Sequence, residues 1–215
     1  MYSPQYAVGG GYWTALSVVN LGLIAGTVTL ELIGEDGTLL ANPKQAAIPA
    51  RGKLCITDQK FFVDSGGSLV QGYVRITSSG PKLVGSVVFG DPERKRFSSS
   101  LPLVSNMLTS AIFGQVASNS TYFTGIAILN PKESGVTAKI DVYDRNGVIV
   151  RTKTETIGAK SRVSKLLTQY FEDLAGQDIA SGYIKVTVDE GVASFALFGT
   201  NDLSVLSAIP PQVVP

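Results

Sequence analysis

The chain has 215 residues, a formal net charge of +1 and only 16% charged residues, which gives counterion release little to act on and excludes nucleic acid as a partner. It has no histidine and a single cysteine, Cys55, which excludes Ser/His and Cys/His nucleophile pairs, His-ligated metals, a histidine pH switch and an internal disulfide. Apolar runs are short and broken by Gly, Ser or charge, so no signal peptide or membrane-spanning segment is legible; the mean hydropathy of +0.22 reads as apolar residues for two cores rather than as a lipid-facing barrel.

From the N-terminus, Gly9-Gly10-Gly11 lacks the Lys-Ser/Thr of a phosphate loop and leads into a strand, not a helix. Tyr12 and Trp13 open that strand. Aromatic rings there serve either as a platform for a sugar ring, whose CH groups meet π density, or as a packed strand end. Leu30 and Leu32 alternate with polar neighbours and predict a half-buried strand. Asp36-Gly37 predicts a tight antiparallel hairpin with positive φ at its centre. Residues 55–63 carry only a weak helical pattern and predict a turn. In Tyr73-Val74-Arg75-Ile76-Thr77, Val74 and Ile76 face a core, while Tyr73, behind Gly72, points to the opposite face, for surface cross-strand packing or for binding. Residues 84–89 are nearly all apolar and predict a central strand covered on both faces or packed against the other domain. Glu93-Arg94-Lys95-Arg96, after Asp91-Pro92, predicts a solvated hairpin tip, and Leu101-Pro102-Leu103 a closing strand.

The second half restates the first. Tyr12, Thr14, Asn20, Thr27, Gly37 and Tyr73 recur as Tyr122, Thr124, Asn130, Thr137, Gly147 and Tyr183 at a constant offset of 110 residues, and Gln5 and Ala7 recur as Gln115 and Ala117. Phe123 stands for Trp13, and Ser164 for Cys55. A unit of this length is domain-sized rather than a solenoid repeat, so two homologous domains are expected at residues 1–107 and 108–215, joined by a short connection. Within the second, Ile140 and Val142 alternate inward, Arg145-Asn146-Gly147 predicts the matching hairpin, and Ile184, Val186 and Val188 face the core with Tyr183 opposite. Residues 164–174 place Leu167, Tyr170, Phe171 and Leu174 at helical spacing and predict one short helix. Residues 192–198 predict a second strand covered on both faces, and Ile209-Pro210-Pro211 closes the domain. The fold class is therefore all-β: two tandem antiparallel β-sandwiches of about seven strands each, with one short helix in the second.

Particular residues carry a resemblance. Ser3-Pro4-Gln5-Tyr6-Ala7-Val8-Gly9-Gly10-Gly11-Tyr12-Trp13-Thr14, followed by Val18-Val19-Asn20, resembles the PQFADGGGW-T…LVNP signature of bacterial surface-protein repeats. Phe123-Thr124-Gly125-Ile126-Ala127-Ile128-Leu129-Asn130-Pro131 resembles the companion form FTGLALLNP. The first copy departs from the pattern at Leu21, where the signature has Pro. The resemblance implies immunoglobulin-like or fibronectin-like sandwich modules of secreted or surface-anchored proteins, hence an extracellular or cell-surface location. It brings no binding residues with it.

No residues form a catalytic constellation. A glycosidase-like carboxylate pair is the chemistry the composition leaves open, and the pattern brings no two acids together. Glu35, Asp36, Asp91, Asp144 and Asp202 lack calcium-loop spacing and read as turn residues. The sequence predicts no catalytic residue, no metal site and no cofactor. Its candidate ligand-binding residues are Tyr12, Trp13, Tyr73 and Tyr183. The expected role is a non-enzymatic extracellular structural or adhesion module with a protein or glycan partner; the alternative is a carbohydrate-binding module using exposed aromatics.

Overall fold

A computed structural model describes residues 1–93 and 95–213, so Arg94 of the expected basic tip lies outside the described residues. The chain divides into two compact units, Met1–Asn106 and Met107–Pro215. Among the described residues no helix is long and apolar enough to cross a membrane.

The first unit carries β1 (Tyr2–Val8), β2 (Trp13–Asn20), β3 (Gly26–Ile33), β4 (Lys44–Ile48), β5 (Lys53–Ile56), β6 (Val70–Ser78), β7 (Leu83–Gly90) and β8 (Ser98–Pro102). They pair into two four-stranded antiparallel sheets, in the orders β1-β6-β3-β4 and β5-β2-β7-β8. Alternation decides what goes inside. Val28, Leu30 and Leu32 of β3 and Val74 and Ile76 of β6 are buried from one sheet, and Leu16, Val18, Val87 and Phe89 from the other. Each such side chain contributes about 1.5–3 kcal/mol on leaving water. The expectation for residues 84–89 needs correction: β7 is central in its sheet, but Val84 is exposed and Ser86 and Val88 are only half-buried, so just one face is covered.

The second unit carries β9 (Leu108–Ser118), β10 (Tyr122–Leu129), β11 (Val136–Tyr143), β12 (Ile149–Ile157), β13 (Arg162–Leu166), β14 (Ile179–Thr200), β15 (Leu206–Ile209) and β16 (Gln212–Val213). Its pairing repeats that of the first: β9-β14-β11-β12 and β13-β10-β14-β15, with the 22-residue β14 serving both ladders. The difference has a local cause. In the first unit Gly80, at φ 121°, and Pro81, which has no N–H, separate β6 from β7. Asp189-Glu190-Gly191 at the corresponding place stays extended. One cluster built from both ladders forms the core, including Phe113, Ile126, Ile128, Ile140, Val142, Ile184 and Val186. Residues 192–196 are buried at every position, but Leu197 and Phe198 are only half-buried, so the expectation of two covered faces over residues 192–198 holds for the first part of that run alone.

The predicted helix starts later than its periodicity indicated. Residues 162–166 form β13, paired with β10 from Gly125–Leu166 to Leu129–Arg162, and only Leu167–Tyr170 is α-helical (α1), followed by a 3-10 turn at Glu172–Leu174. Cross-strand pairing takes the first turn, while Leu167, Tyr170, Phe171 and Leu174 are all buried at the spacing expected. The equivalent residues of the first unit contain no helix; Phe62 closes the core there, edge-on to Tyr6 at 5.4 Å. The Asp36-Gly37 and Asn146-Gly147 turns join antiparallel strands, β3 to β4 and β11 to β12, as expected, but with one left-handed residue each. Only Gly37 (φ 86°) and Gly147 (φ 80°) are left-handed, and the turns close through Gly34 N–H donating to Thr38 O (2.8 Å) and Asp144 N–H donating to Val148 O (2.9 Å). That is the longer turn built on one left-handed glycine.

Candidate binding surfaces

Two side chains that recur between the copies, a threonine and an asparagine, make corresponding hydrogen bonds in both. Thr14 Oγ1 accepts from Ala7 N–H (3.0 Å) and donates to Ala7 O (2.7 Å); Thr124 does the same with Ala117 at 3.0 and 2.8 Å. Asn20, fully buried, donates from Nδ2 to Ile24 O (2.8 Å) and Pro49 O (2.9 Å) and accepts from Gly22 N–H (2.7 Å). Asn130 donates to Ser134 O (2.7 Å) and Gly158 O (2.8 Å) and accepts from Lys132 N–H (2.9 Å). One amide thus fastens the β2–β3 loop, or the β10–β11 loop, to the next turn at the same end of its unit. The frame is shared, but the tips are not: Leu21-Gly22-Leu23-Ile24-Ala25 in the first unit stands where the second has Pro131-Lys132-Glu133-Ser134-Gly135.

The three predicted aromatic residues of the first unit do not make one exposed surface. Trp13 is buried, at 8% exposure, opposite Gly90 in the β2–β7 ladder. Tyr12 is half-buried with its ring 6.0 Å from Phe97, in edge contact. Tyr73 corrects the expectation of an outward ring: its strand parity is as predicted, but it is only 1% exposed, opposite Ile33 and 6.2 Å from Tyr2. Parity assigns a face of the sheet; it does not say whether that face is covered. Gly72 is required beside it, because a Cβ there would lie 2.0 Å from Ile33 O, and Gly182 stands in the same relation to Tyr143 O at 2.0 Å.

Tyr183 is half-buried and stacks on Tyr143, directly opposite it on β11, with centroids 4.4 Å apart and planes 5° apart. Tyr143 is in turn opposite Ile149 on β12, so Tyr183, Tyr143 and the exposed Ile149 form a row across three strands. Tyr143 and Ile149 were not singled out in the sequence, though Tyr143 ends an alternating run in which Lys139 and Asp141 share its outward parity. Asp141 accepts from Lys139 Nζ (2.9 Å) and Thr152 Oγ1 (2.6 Å). Burial works to raise its carboxyl pKa, but those two hydrogen bonds and the charges of Lys139 and Lys185 together hold it below the usual value. At the same place in the first unit, Glu31 takes a two-pronged bond from Arg75, at 2.6 and 2.8 Å.

The turn acids have structural partners. Asp36 accepts from Thr38 N–H, Asp144 from Asn146 and Val148 N–H, and Asp91 from Arg96 and Phe97 N–H. Bonds from Thr200 and Ser204 pull the Asp202 carboxyl down to about 2. Among the described residues no three His, Cys, Asp or Glu side chains are grouped to hold a metal ion.

No family model matches the chain, and no curated protein matches it. Solved structures give distant likenesses. The Anabaena sensory rhodopsin transducer is 11% identical, over 42% of this chain and 96% of that one, with a TM-score of 0.35. A protein of the infectious bursal disease virus Gx strain is 11% identical over 90% of this chain and 55% of its own, at 0.22. Bacteroides uniformis β-glucuronidase is 9% identical over 95% of this chain and 25% of its own, at 0.23. The chain therefore spans about half of the viral protein and a quarter of the glucuronidase. Scores this low carry no argument about activity.

Proposed function

We propose that the chain is a non-enzymatic structural or adhesion module of a bacterial surface or secreted protein. The observation that carries this reading is the pair of asparagine-fastened loop frames. Asn20 and Asn130 hold equivalent loops with equivalent bonds, while the tips they hold have unrelated chemistry. A rigid scaffold with divergent loop tips is the arrangement by which sandwich modules present contacts. The signature-like residues around Trp13 and Phe123 support a surface-protein setting. A carbohydrate-binding reading is less well supported: Trp13 and Tyr73 are buried, the half-buried Tyr12 is in edge contact with Phe97, and Tyr183 has a ring face already given to Tyr143.

Protease treatment of intact cells producing the parent protein tests this. Release of peptides from this chain before lysis is the expected result. Complete protection until the cells are broken, with the protein recovered from the cytoplasm, would overturn it.

A further inference from the structure

The tip of the β2–β3 loop is the most exposed apolar feature of the first unit. Leu21, Leu23 and Ile24 are 56%, 72% and 78% exposed, at the end of a sandwich rather than on a strand face. Nothing about the tip is loose. Leu21 N–H donates to Lys82 O (2.9 Å), Arg51 N–H donates to Gly22 O (3.0 Å), and Asn20 accepts from Gly22 N–H through Oδ1 and donates to Ile24 O through Nδ2. Three connections, residues 21–25, 49–52 and 79–82, are thus tied together with the aliphatic side chains held outward. Exposing them is not the by-product of a disordered loop.

The charge around the tip has one sign. Arg51, Lys53 and Lys82 are exposed at this end, and no Asp or Glu occurs in residues 20–30, 48–57 or 77–90. The second unit gives an internal comparison. On the same frame it carries Lys132 and Glu133, with ion pairs from Lys132 to Glu190 (3.2 Å) and from Lys160 to Glu133 (2.8 Å). There the tip is charged, balanced and suited to water.

We propose that the Leu21–Ile24 tip of the first unit docks on an anionic phospholipid surface, with Leu23 and Ile24 entering the headgroup–acyl boundary and Arg51, Lys53 and Lys82 meeting the lipid phosphates. Aliphatic insertion and a cationic collar are the two terms that bind a protein to such a surface, and neither is strong alone. A protein partner would be met by the same aliphatic side chains, but it would not require a collar free of carboxylates.

The test is partition of the intact chain onto vesicles of phosphatidylcholine alone and of phosphatidylcholine with phosphatidylglycerol. Binding to the second, weakened by salt, is expected. Leu23→Ser with Ile24→Ser lowers it about tenfold or more. Arg51→Gln and Lys82→Gln each lower it about fivefold. Lys132→Ser with Glu133→Ser leaves it unchanged. All substituted residues are exposed loop positions, and an unaltered unfolding midpoint separates lost docking from lost folding. No partition of the parent chain onto anionic vesicles, or partition that survives the Leu23 and Ile24 changes, would overturn the proposal. So would a dimer that those changes dissolve, which would assign the tip to a second copy. Display at the cell surface is read separately by protease release, so either proposal can fail without the other.

Discussion

At Asp141, burial and charge oppose each other, and the sign of the result fixes a pH dependence. Burial raises the folded carboxyl, but the bonds from Lys139 and Thr152 together with the charges of Lys139 and Lys185 outweigh it and hold the group below its usual value. A depressed folded pKa contributes stability at pH above the unfolded value, and that contribution is lost as pH falls through the folded one. Asp141→Asn should therefore cost about 1–3 kcal/mol at neutral pH, and the difference from the parent should shrink below about pH 4. Urea unfolding at several pH values measures it; a difference that grows on acidification would contradict the assignment. Other single residues were legible as recurring, not as acting. The repeated asparagine at 20 and 130 was plain in the sequence, but its partners Pro49 and Gly158 lie 29 and 28 residues away, so its fastening role was not. Tyr73 and Tyr183 share one parity and one neighbouring glycine, yet one is covered and the other half-open. Leu23 and Ile24 were missed because aliphatic residues read as core when only their type is known.

Strands were the most legible elements. Period-two alternation placed Leu30, Leu32, Val74, Ile76, Ile140, Val142, Ile184, Val186 and Val188 inward, and all nine are buried. Ile140→Ala should accordingly cost about 2–5 kcal/mol by chemical denaturation, because both ladders pack around the cavity it would leave. Thr154→Ala, at an exposed position of the β12 edge, should change stability by about 0.5 kcal/mol or less. Equal effects would contradict this assignment of inward and outward faces. Boundaries were less legible, because competing elements claimed the same residues. Residues 164–166 have helical spacing toward Leu167, but β10 offers them a backbone ladder, and the ladder wins. The unbroken β14 depends on a short passage: the Gly80-Pro81 that ends β6 in one copy has no counterpart in Asp189-Glu190-Gly191.

In each unit, the first strand is closed by residues from that unit's own end. Tyr2 bridges Val104, exchanging hydrogen bonds of 2.7 and 2.8 Å, and in the second unit Ile112 and Ala111 of β9 pair with Gln212 and Val213 of β16. A cut between Asn106 and Met107 therefore severs neither closing pair. Units of this size bury about two thirds of their unfolded surface, enough for a core of their own. Residues 1–106 and 107–215, produced separately, should each show β-sheet circular dichroism and a single cooperative unfolding transition. Tyr2→Pro should then lower the midpoint of the first fragment, because a proline there has no N–H to donate to Val104 O and the unit's two ends lose one of the bonds that join them. If either fragment lacked a cooperative transition, the closing pairs would not be sufficient for independent folding, and the duplicated sequence would have to be regarded as one folding unit built from two similar halves.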